Sequence, residues 1–200
     1  MHAERRSDWR RLAAAAALLL IGLGCRAPRP SGGEDASARP PAVAEDAEVA
    51  RIRAMLDELY RAFCFDAGGE PDWDAMRARF AGGAAFYAPA RPGGTPRGVD
   101  AERFFADFAA YVASEPVRST GLHERILHAR VDAFGGVAHA FVAFEGFAPG
   151  ADEASTRGLD AIALVRDGER WLVASFATQY EGRGLALPAR FTEPRADGAR

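Results

Sequence analysis

Residues 123–147 read HERILHARVDAFGGVAHAFVAFEGF, with two runs rich in apolar residues on either side of Gly135-Gly136. A Gly-Gly pair between two such runs predicts a β-hairpin with a two-residue turn, because glycine readily adopts the positive φ that this turn needs. Residues 159–166 and 171–180 flank Asp167-Gly168 in the same way. The second half of the chain is therefore predicted to form an antiparallel meander of four strands.

The first half of the chain shows helical patterns instead. One apolar stripe recurs at helical spacing, and it consists of Ile52, Met55, Leu56, Leu59, Tyr60 and Phe63. A shorter helix is predicted after Pro71, with Asp72 as its N-cap, and a third helix after Asp100. Three helices followed by four antiparallel strands favour the α+β class over a βαβ arrangement.

Composition and missing motifs exclude several kinds of protein. The 200 residues suit one domain, and the net charge of −3, with no lysine in the chain, disfavours nucleic acid as a partner. The sequence contains no GxGxxG and no GxSxG motif, and its 4 histidines lack the spacing of a zinc site. We therefore expect neither a cofactor nor a metal.

The N-terminus has the pattern of an export signal. Arginines at positions 5, 6, 10 and 11 precede an apolar run at 12–23, and Gly24-Cys25 follows. Such a pattern is typical of a secretory signal peptide, and the run is too short for the roughly 30 Å hydrocarbon core of a membrane. Leu23-Gly24-Cys25 also resembles a bacterial lipobox, which implies cleavage before Cys25 and attachment of acyl chains such as palmitate. Export without lipidation of Cys25 is the alternative.

These features divide the chain into four segments. Residues 1–24 are predicted to be the signal peptide, and 25–44, rich in Pro, Gly, Ala and Ser, a flexible tether. Residues 45–192 are predicted to form one domain, and 193–200 a frayed tail. The expected product is an exported lipoprotein, anchored to a membrane by its lipid and facing the periplasm.

Several segments carry a likeness to a known superfamily. They are the first helix with Phe65, residues 121–131 and 134–139, residues 157–159, residues 167–171 and residues 187–191. Through them the chain, from about Val49 to Phe191, resembles the nuclear transport factor 2-like superfamily, which includes ketosteroid isomerase and the SnoaL-like cyclases. The resemblance implies a cone-shaped roll in which three N-terminal helices pack on a curved, mainly antiparallel sheet around an apolar pocket. Members are enzymes, ligand binders or interaction modules, so activity must be argued from the site.

Alternation along the predicted strands assigns side chains to the two faces of the sheet. If Gly135-Gly136 is the turn, Asp132 lies opposite His139. The same register places His123 inward, at the end of an apolar face, and Glu124 outward. His123 is thus the best titratable candidate for the pocket, with an ordinary role in the core as the alternative.

Other pocket candidates come from the second hairpin and from the first half of the chain. Asp160 ends an apolar row, where loss of hydration would raise the pKa of its carboxyl and suit it to act as a general base. The alternatives are that Asp160 lies past the end of the strand, or that it forms an ion pair with a neighbour such as Arg157. Tyr60 and Tyr87 can supply hydroxyl groups, and Trp73 can supply a pocket wall or a core contact.

Two kinds of function remain open on these grounds. The first is non-catalytic: binding of a small apolar ligand in the cone, or homodimerisation through the outer face of the sheet. The second is an isomerase or dehydratase of the ketosteroid isomerase or SnoaL type that uses His123 or Asp160. We favour the first, because no motif in the sequence joins a carboxylate base to the donors of an oxyanion hole.

Overall fold

The computed structural model of the protein describes residues 42–88, 97–182 and 184–193. The predicted signal at 1–24, Cys25 and most of the predicted tether lie outside these ranges, as do residues 194–200 of the predicted tail. Among the described residues, no helix has the length and apolar content needed to span a membrane.

The described part of the chain contains four α-helices and seven strands. The helices are α1 (Ala42–Phe63), α2 (Trp73–Arg77), α3 (Ala101–Val112) and α4 (Val117–Thr120). The strands are β1 (Phe65–Asp66), β2 (Phe80–Tyr87), β3 (Gly98–Asp100), β4 (Gly121–Phe134), β5 (Val137–Phe147), β6 (Thr156–Asp167) and β7 (Arg170–Tyr180). They form one sheet in the order β1-β4-β5-β6-β7-β2-β3, and a 3₁₀ turn at Ala189–Phe191 follows.

The sheet is mixed and curved, and the α+β class is confirmed. β2 runs parallel to β7, and the other neighbouring pairs are antiparallel. The predicted order of three helices followed by four strands is wrong, because β1, β2 and β3 lie between the helices. β2 carries little sequence signal, since it contains Gly82-Gly83 and pairs with a strand far along the chain.

The first helix packs its apolar stripe against the sheet. Ile52, Leu56 and Leu59 are fully buried and share one core with Ile162 of β6. Burial of each such side chain contributes about 1.5–3 kcal/mol, so α1 is a main support of the sheet's inner face. The helix begins at Ala42, inside the stretch predicted to be a tether.

Two aspartates start helices in the first half of the chain. Asp72 accepts a hydrogen bond from the backbone N–H of Ala75 at 2.9 Å, and Asp100 accepts one from that of Arg103 at 2.9 Å. Such caps satisfy amide groups that have no partner within the helix. The prediction that Asp72 is an N-cap is confirmed.

A β-bulge divides the β4–β5 hairpin into two parts. From the Gly135-Gly136 turn as far as His128, the two strands keep the predicted register. Ile126 then pairs with Phe144, which leaves Leu127 as an extra residue on β4. Since side chains alternate along a strand, one extra residue exchanges the faces of every residue beyond it.

The bulge reverses the predicted orientation of two titratable residues. Glu124 lines a cavity inside the domain, so the prediction that it points outward is wrong. His123 points away from that cavity: its Nε2 atom lies 3.2 Å from Oδ1 of Asp66, and its ring packs edge-on against Phe147. The inward orientation predicted for His123 is therefore wrong too, and the extra residue at Leu127 is the physical cause.

Candidate functional site

A cavity of about 370 Å³ lies between α3 and the sheet. Aromatic side chains form a large part of its wall, among them Phe86, Phe104, Phe108, Tyr111, Phe176 and Tyr180. These rings come from β2, α3 and β7, which are distant in the sequence. The cavity is thus a product of the tertiary fold.

The aromatic rings pack on one another along the wall. Phe86 and Phe104 are stacked with their centroids 4.0 Å apart and their planes 7° apart. Phe104 and Phe108 are parallel within 2°, and the ring centroids of Phe176 and Phe86 are 6.2 Å apart with their planes 24° apart. Tyr111 continues the row beside Phe108 at 6.1 Å. Contacts of this kind hold the rings in place, so the wall presents fixed, flat apolar surfaces.

Two carboxyl groups lie at the inner side of this cavity. Glu124 of β4 lines it directly, and Asp160 of β6 lies just behind the wall, opposite Thr178 of β7. Asp160 is only 2% exposed. The hydroxyl of Tyr60 on α1 donates a hydrogen bond to its Oδ2 atom, whereas Oδ1 is buried with no hydrogen-bond partner among the described residues.

Burial raises the pKa of both carboxyls toward neutrality. It raises the pKa of Asp160 to about 7, although the nearby hydroxyls of Tyr60 and Thr178 favour the ionised form. It raises the pKa of Glu124 to about 8, and the negative charge of Asp160 adds to the rise. Since the charge of Asp160 raises the pKa of Glu124, the two groups titrate as a coupled pair near neutral pH.

Three tyrosine hydroxyls surround the carboxyl pair. Burial, and then the charge of Asp160, raise the pKa of Tyr60 well above its ordinary value. Burial also raises the pKa of Tyr180 to about 12 and that of Tyr111 above its usual range, with Glu124 contributing to both shifts. These hydroxyls therefore stay protonated and can donate hydrogen bonds to a ligand or to a carboxylate.

The structure brings some of the predicted pocket residues together and separates others. Tyr60 contacts Asp160, and Tyr87 lines the cavity near its mouth with 44% of its surface exposed. Trp73 does not line this cavity: it packs edge-on against Phe108 at 5.7 Å, and its indole N–H donates to Glu70.

The alternative partner proposed for Asp160 is engaged elsewhere. Arg157 lies 3.9 Å from Glu145 and 3.7 Å from Glu181, on the outer side of the sheet. The orientation predicted for Asp160, inward at the end of an apolar row with Ile162, is what the structure has. Its carboxyl is therefore held by Tyr60 rather than by an arginine.

Glu124 is the site residue that sequence reasoning missed, although a signal for it exists. Leu122 and Ile126 alternate with Glu124, which indicates one apolar face on even-numbered residues. From Leu127 to Ala133, apolar residues instead occupy odd-numbered positions. A switch of this kind within one strand marks a bulge, and it assigns Glu124 to the same side as its aliphatic neighbours.

Metal ligands are not assembled in this region. Within residues 42–88, 97–182 and 184–193, no group of three or more His, Cys, Asp or Glu side chains has the arrangement of a metal site. The chemistry that the described site can offer is that of carboxyls, hydroxyls and aromatic faces.

Comparison with known proteins identifies the fold. No family model matches the chain, and no curated protein matches it significantly. Among solved structures, a nuclear transport factor 2-like protein of unknown function from Pseudomonas putida is 12% identical, with a TM-score of 0.52 over 80% of this chain and 98% of that one. A protein with a cystatin-like fold from Nostoc punctiforme is 11% identical, with a TM-score of 0.54 over 68% and 92% of the two chains.

A third structure agrees with these two. A function-unknown protein from Mycobacterium tuberculosis is 17% identical to this chain, with a TM-score of 0.52 over 72% of this chain and 78% of that one. The chain therefore has the nuclear transport factor 2-like fold, and the resemblance seen in the sequence is confirmed at the level of the fold. Likeness at such low identity carries no information on activity.

Proposed function

We propose that the domain binds one small, mainly apolar molecule in the aromatic cavity, with Glu124 as the polar contact. The observation that carries this proposal is a cavity of about 370 Å³ with stacked aromatic walls and a carboxyl group on its inner side. Ligand sites are typically concave, lined by apolar and aromatic side chains, and supplied with a few polar groups that orient the ligand.

The state of Asp160 supports a functional role for this region. Buried polar atoms in folded proteins nearly always have a hydrogen-bond partner, and leaving one without a partner costs about 1–3 kcal/mol. Oδ1 of Asp160 is buried and has no partner with hydrogen-bond geometry among the described residues, although the hydroxyl of Thr178 lies near this carboxyl and favours its ionised form. Retaining a destabilising carboxyl in an apolar environment is common where that group serves binding or catalysis.

Binding of naphthylmethanol, a neutral aromatic probe, tests the proposal. Titration calorimetry should detect one site per chain. Val99→Trp places a large side chain in the cavity wall and should abolish binding, whereas Val137→Trp, the same change at an exposed position, should leave it intact. Thermal unfolding of both variants shows whether they fold. Equal affinity of the two variants for naphthylmethanol refutes the proposal. Failure of the wild-type protein to bind either this alcohol or naphthylmethylammonium, the cation with the same ring system, refutes it as well.

A second candidate function is proton transfer, and the raised pKa of Glu124 in an apolar cavity favours it. An ionised Glu124 would take a proton from the carbon beside a carbonyl group, while a hydroxyl of Tyr111 or Tyr180 donates to the enolate oxygen that forms. In a substrate with a β,γ double bond the enolate is a dienolate, and return of the proton from Glu124 to its γ-carbon moves the double bond next to the carbonyl group and completes an isomerisation. Because Glu124 has a pKa of about 8, the rate should rise as pH increases toward that value.

Exchange of carbon-bound protons tests this candidate. β-Tetralone in deuterated buffer should lose its α-proton signals faster with the wild-type protein than with buffer alone, as measured by NMR. Glu124→Gln should lower the protein-dependent rate by about 10²–10⁴-fold, the usual contribution of a general base. An unchanged rate in the variant excludes Glu124 as the base.

Export and lipid anchoring are proposed on the sequence of residues 1–25 alone. Two acyl chains on Cys25 give stable membrane attachment, since each buried methylene contributes about 0.8 kcal/mol. Mass spectrometry of the N-terminal peptide from the native host should find Cys25 as the first residue and carrying acyl chains. An uncleaved or unmodified terminus contradicts the anchor, and cleavage without lipid supports simple secretion.

Homodimerisation through the outer face of the sheet stays a prediction. Part of this face is covered by the chain itself, because Phe191 packs against Phe141 with the ring centroids 5.2 Å apart. At the tip of the β4–β5 hairpin, Phe134 and Val137 are 83% and 57% exposed and leave an apolar patch. Light scattering at high concentration tests the prediction, and a strict monomer contradicts it.

A further inference from the structure

The charged groups at the cavity are unevenly distributed between its mouth and its inner side. Arg97 and Asp107 both line it, and Asp107 lies in an exposed ion pair with Arg103 at 2.9 Å. On the inner side, the ionisable groups are the carboxyls of Glu124 and Asp160, together with the hydroxyls of tyrosines. The inner side therefore offers negative charge and no guanidinium among the described residues.

The rings around this carboxyl pair add to its attraction for positive charge. The face of an aromatic ring carries partial negative charge, and a cation over that face is stabilised by about 0.5–2 kcal/mol. Phe86 and Phe104 cover one face of each other by stacking, so the rings available beside Glu124 are those of Tyr111 and Tyr180, whose pKa values respond to that carboxyl. Aromatic faces joined to carboxylates are a combination that suits an ammonium group.

We infer that the ligand of this cavity is an organic cation, in which a positively charged nitrogen is attached to an apolar, ring-sized body. The nitrogen lies beside Glu124 and within the field of Asp160, and the body lies against the stacked rings. This inference rests on the proposed binding function and specifies its ligand class. A carbonyl compound or a carboxylic acid would bind more weakly, because neither carries a positive charge that the carboxyl groups of Glu124 and Asp160 can attract.

A bound cation also changes the protonation of the site. The charge of Asp160 disfavours ionisation of Glu124, and a positive charge next to the two carboxyls cancels that repulsion. Glu124 then loses its proton to solvent as the ammonium binds. Below pH 8 this release opposes binding, so affinity for the cation rises with pH, up to about tenfold per pH unit.

Other titratable groups facing Glu124 do not reverse this sign. Tyr60 on α1, Tyr111 on α3 and Tyr180 on β7 keep their protons in this range because burial raises their pKa values. Burial likewise raises the pKa of the neighbouring Cys64 thiol, whose Sγ accepts a hydrogen bond from the backbone N–H of Glu124. The carboxyl pair is thus the part of the site that titrates.

The test compares two probes that differ in charge but share one aromatic body, naphthylmethylammonium and naphthylmethanol. Titration calorimetry with the full chain at pH 8 should give an affinity about tenfold or more higher for the ammonium. Lowering the pH to 6 should weaken the binding of the ammonium and leave the affinity for the alcohol unchanged. Measurements in buffers of different ionisation enthalpy should show net release of protons when the ammonium binds at pH 7, and none when the alcohol binds.

Two variants test whether the preference for the ammonium over the alcohol depends on Glu124. Glu124→Gln should reduce the preference for the ammonium to about threefold or less while keeping the affinity for the alcohol. Glu169→Gln makes the same change at an 83% exposed position and should keep the full preference. Equal affinity for the two probes, or a preference that survives in Glu124→Gln, overturns the inference and leaves the binding function standing. Failure of both probes to bind the wild-type protein overturns the binding function and the inference with it.

Discussion

Asp160→Asn is expected to reduce the dependence of stability on pH. Burial raises the pKa of Asp160 to about 7 in the folded protein, whereas the same carboxyl in the unfolded chain ionises near its ordinary value of 3.8. Between these values the folded state holds a proton that the unfolded state has lost, so the free energy of unfolding falls as pH rises. Above about pH 7 the carboxyl is ionised in both states and the fall from this group ends. Asparagine has no such proton and removes this contribution.

The size of the effect follows from the two pKa values. One pKa unit corresponds to about 1.4 kcal/mol, so titration of Asp160 lowers the free energy of unfolding by about 3 kcal/mol between pH 5 and pH 8. Glu124 acts in the same direction because its pKa is also raised, and the charge of Asp160 is part of the cause. Removing that charge lowers the pKa of Glu124, which flattens the profile of the variant further.

Urea unfolding followed by tryptophan fluorescence at several pH values between 5 and 8 measures this difference. Asp167→Asn, at a side chain 63% exposed at the end of β6, removes a surface carboxylate and should keep the wild-type profile. If Asp160→Asn loses stability with rising pH as steeply as the wild-type protein, then desolvation of Asp160 is not what shapes the profile. Asp160 and Glu124 would then not titrate as a coupled pair of desolvated carboxyls.

Two further substitutions probe the support of the site. Tyr60→Phe removes the donor to Asp160 and should destabilise the domain by about 1–3 kcal/mol, most strongly above pH 7 where the carboxyl is ionised, as urea unfolding will show. Tyr87→Phe, at a 44% exposed tyrosine, is its control and should cost little. Gly121→Ala should cost about 1–3 kcal/mol in the same assay, because this glycine has a φ of 76° and an added Cβ would lie 2.5 Å from a backbone oxygen of β1. Gly182→Ala, which meets no atom within 4 Å, should be close to neutral, and equal losses for the two glycine variants would contradict the steric argument.

The hairpin turns, the helix cap and the buried side of α1 depend on residues close together in the sequence, and sequence patterns predicted them. Gly135-Gly136 forms a hairpin turn as predicted, whereas the turn of the second hairpin is Gly168-Glu169, one residue later than predicted, because Asp167 still pairs with Arg170. A tight turn needs a positive φ, which glycine adopts without steric cost, and Gly135 and Gly168 have φ values of 57° and 60°. Asp72 caps a helix because its carboxylate reaches an amide three residues ahead. The apolar spacing of Leu56 and its neighbours already defines the buried side of α1.

Long-range contacts decided the rest. β2 is stabilised by parallel pairing with β7, and no local feature of residues 80–87 predicts that pairing. The bulge at Leu127 moved Glu124 inward and His123 outward, so the acidic residue of the cavity was assigned to the wrong face. Asp160 was correctly placed by alternation, but its contact with Tyr60 spans 100 residues of sequence and required the packed core.

The α+β class, the first hairpin turn and the helix cap at Asp72 could be derived from the sequence, because they follow from backbone preferences and apolar spacing that act over a few residues. Which polar groups meet inside the domain, and how strongly they are desolvated, depended on the packing of the whole domain. The pKa values of Glu124 and Asp160 depend on burial and on each other's charge, and both quantities arise only when β4, β6 and α1 pack together.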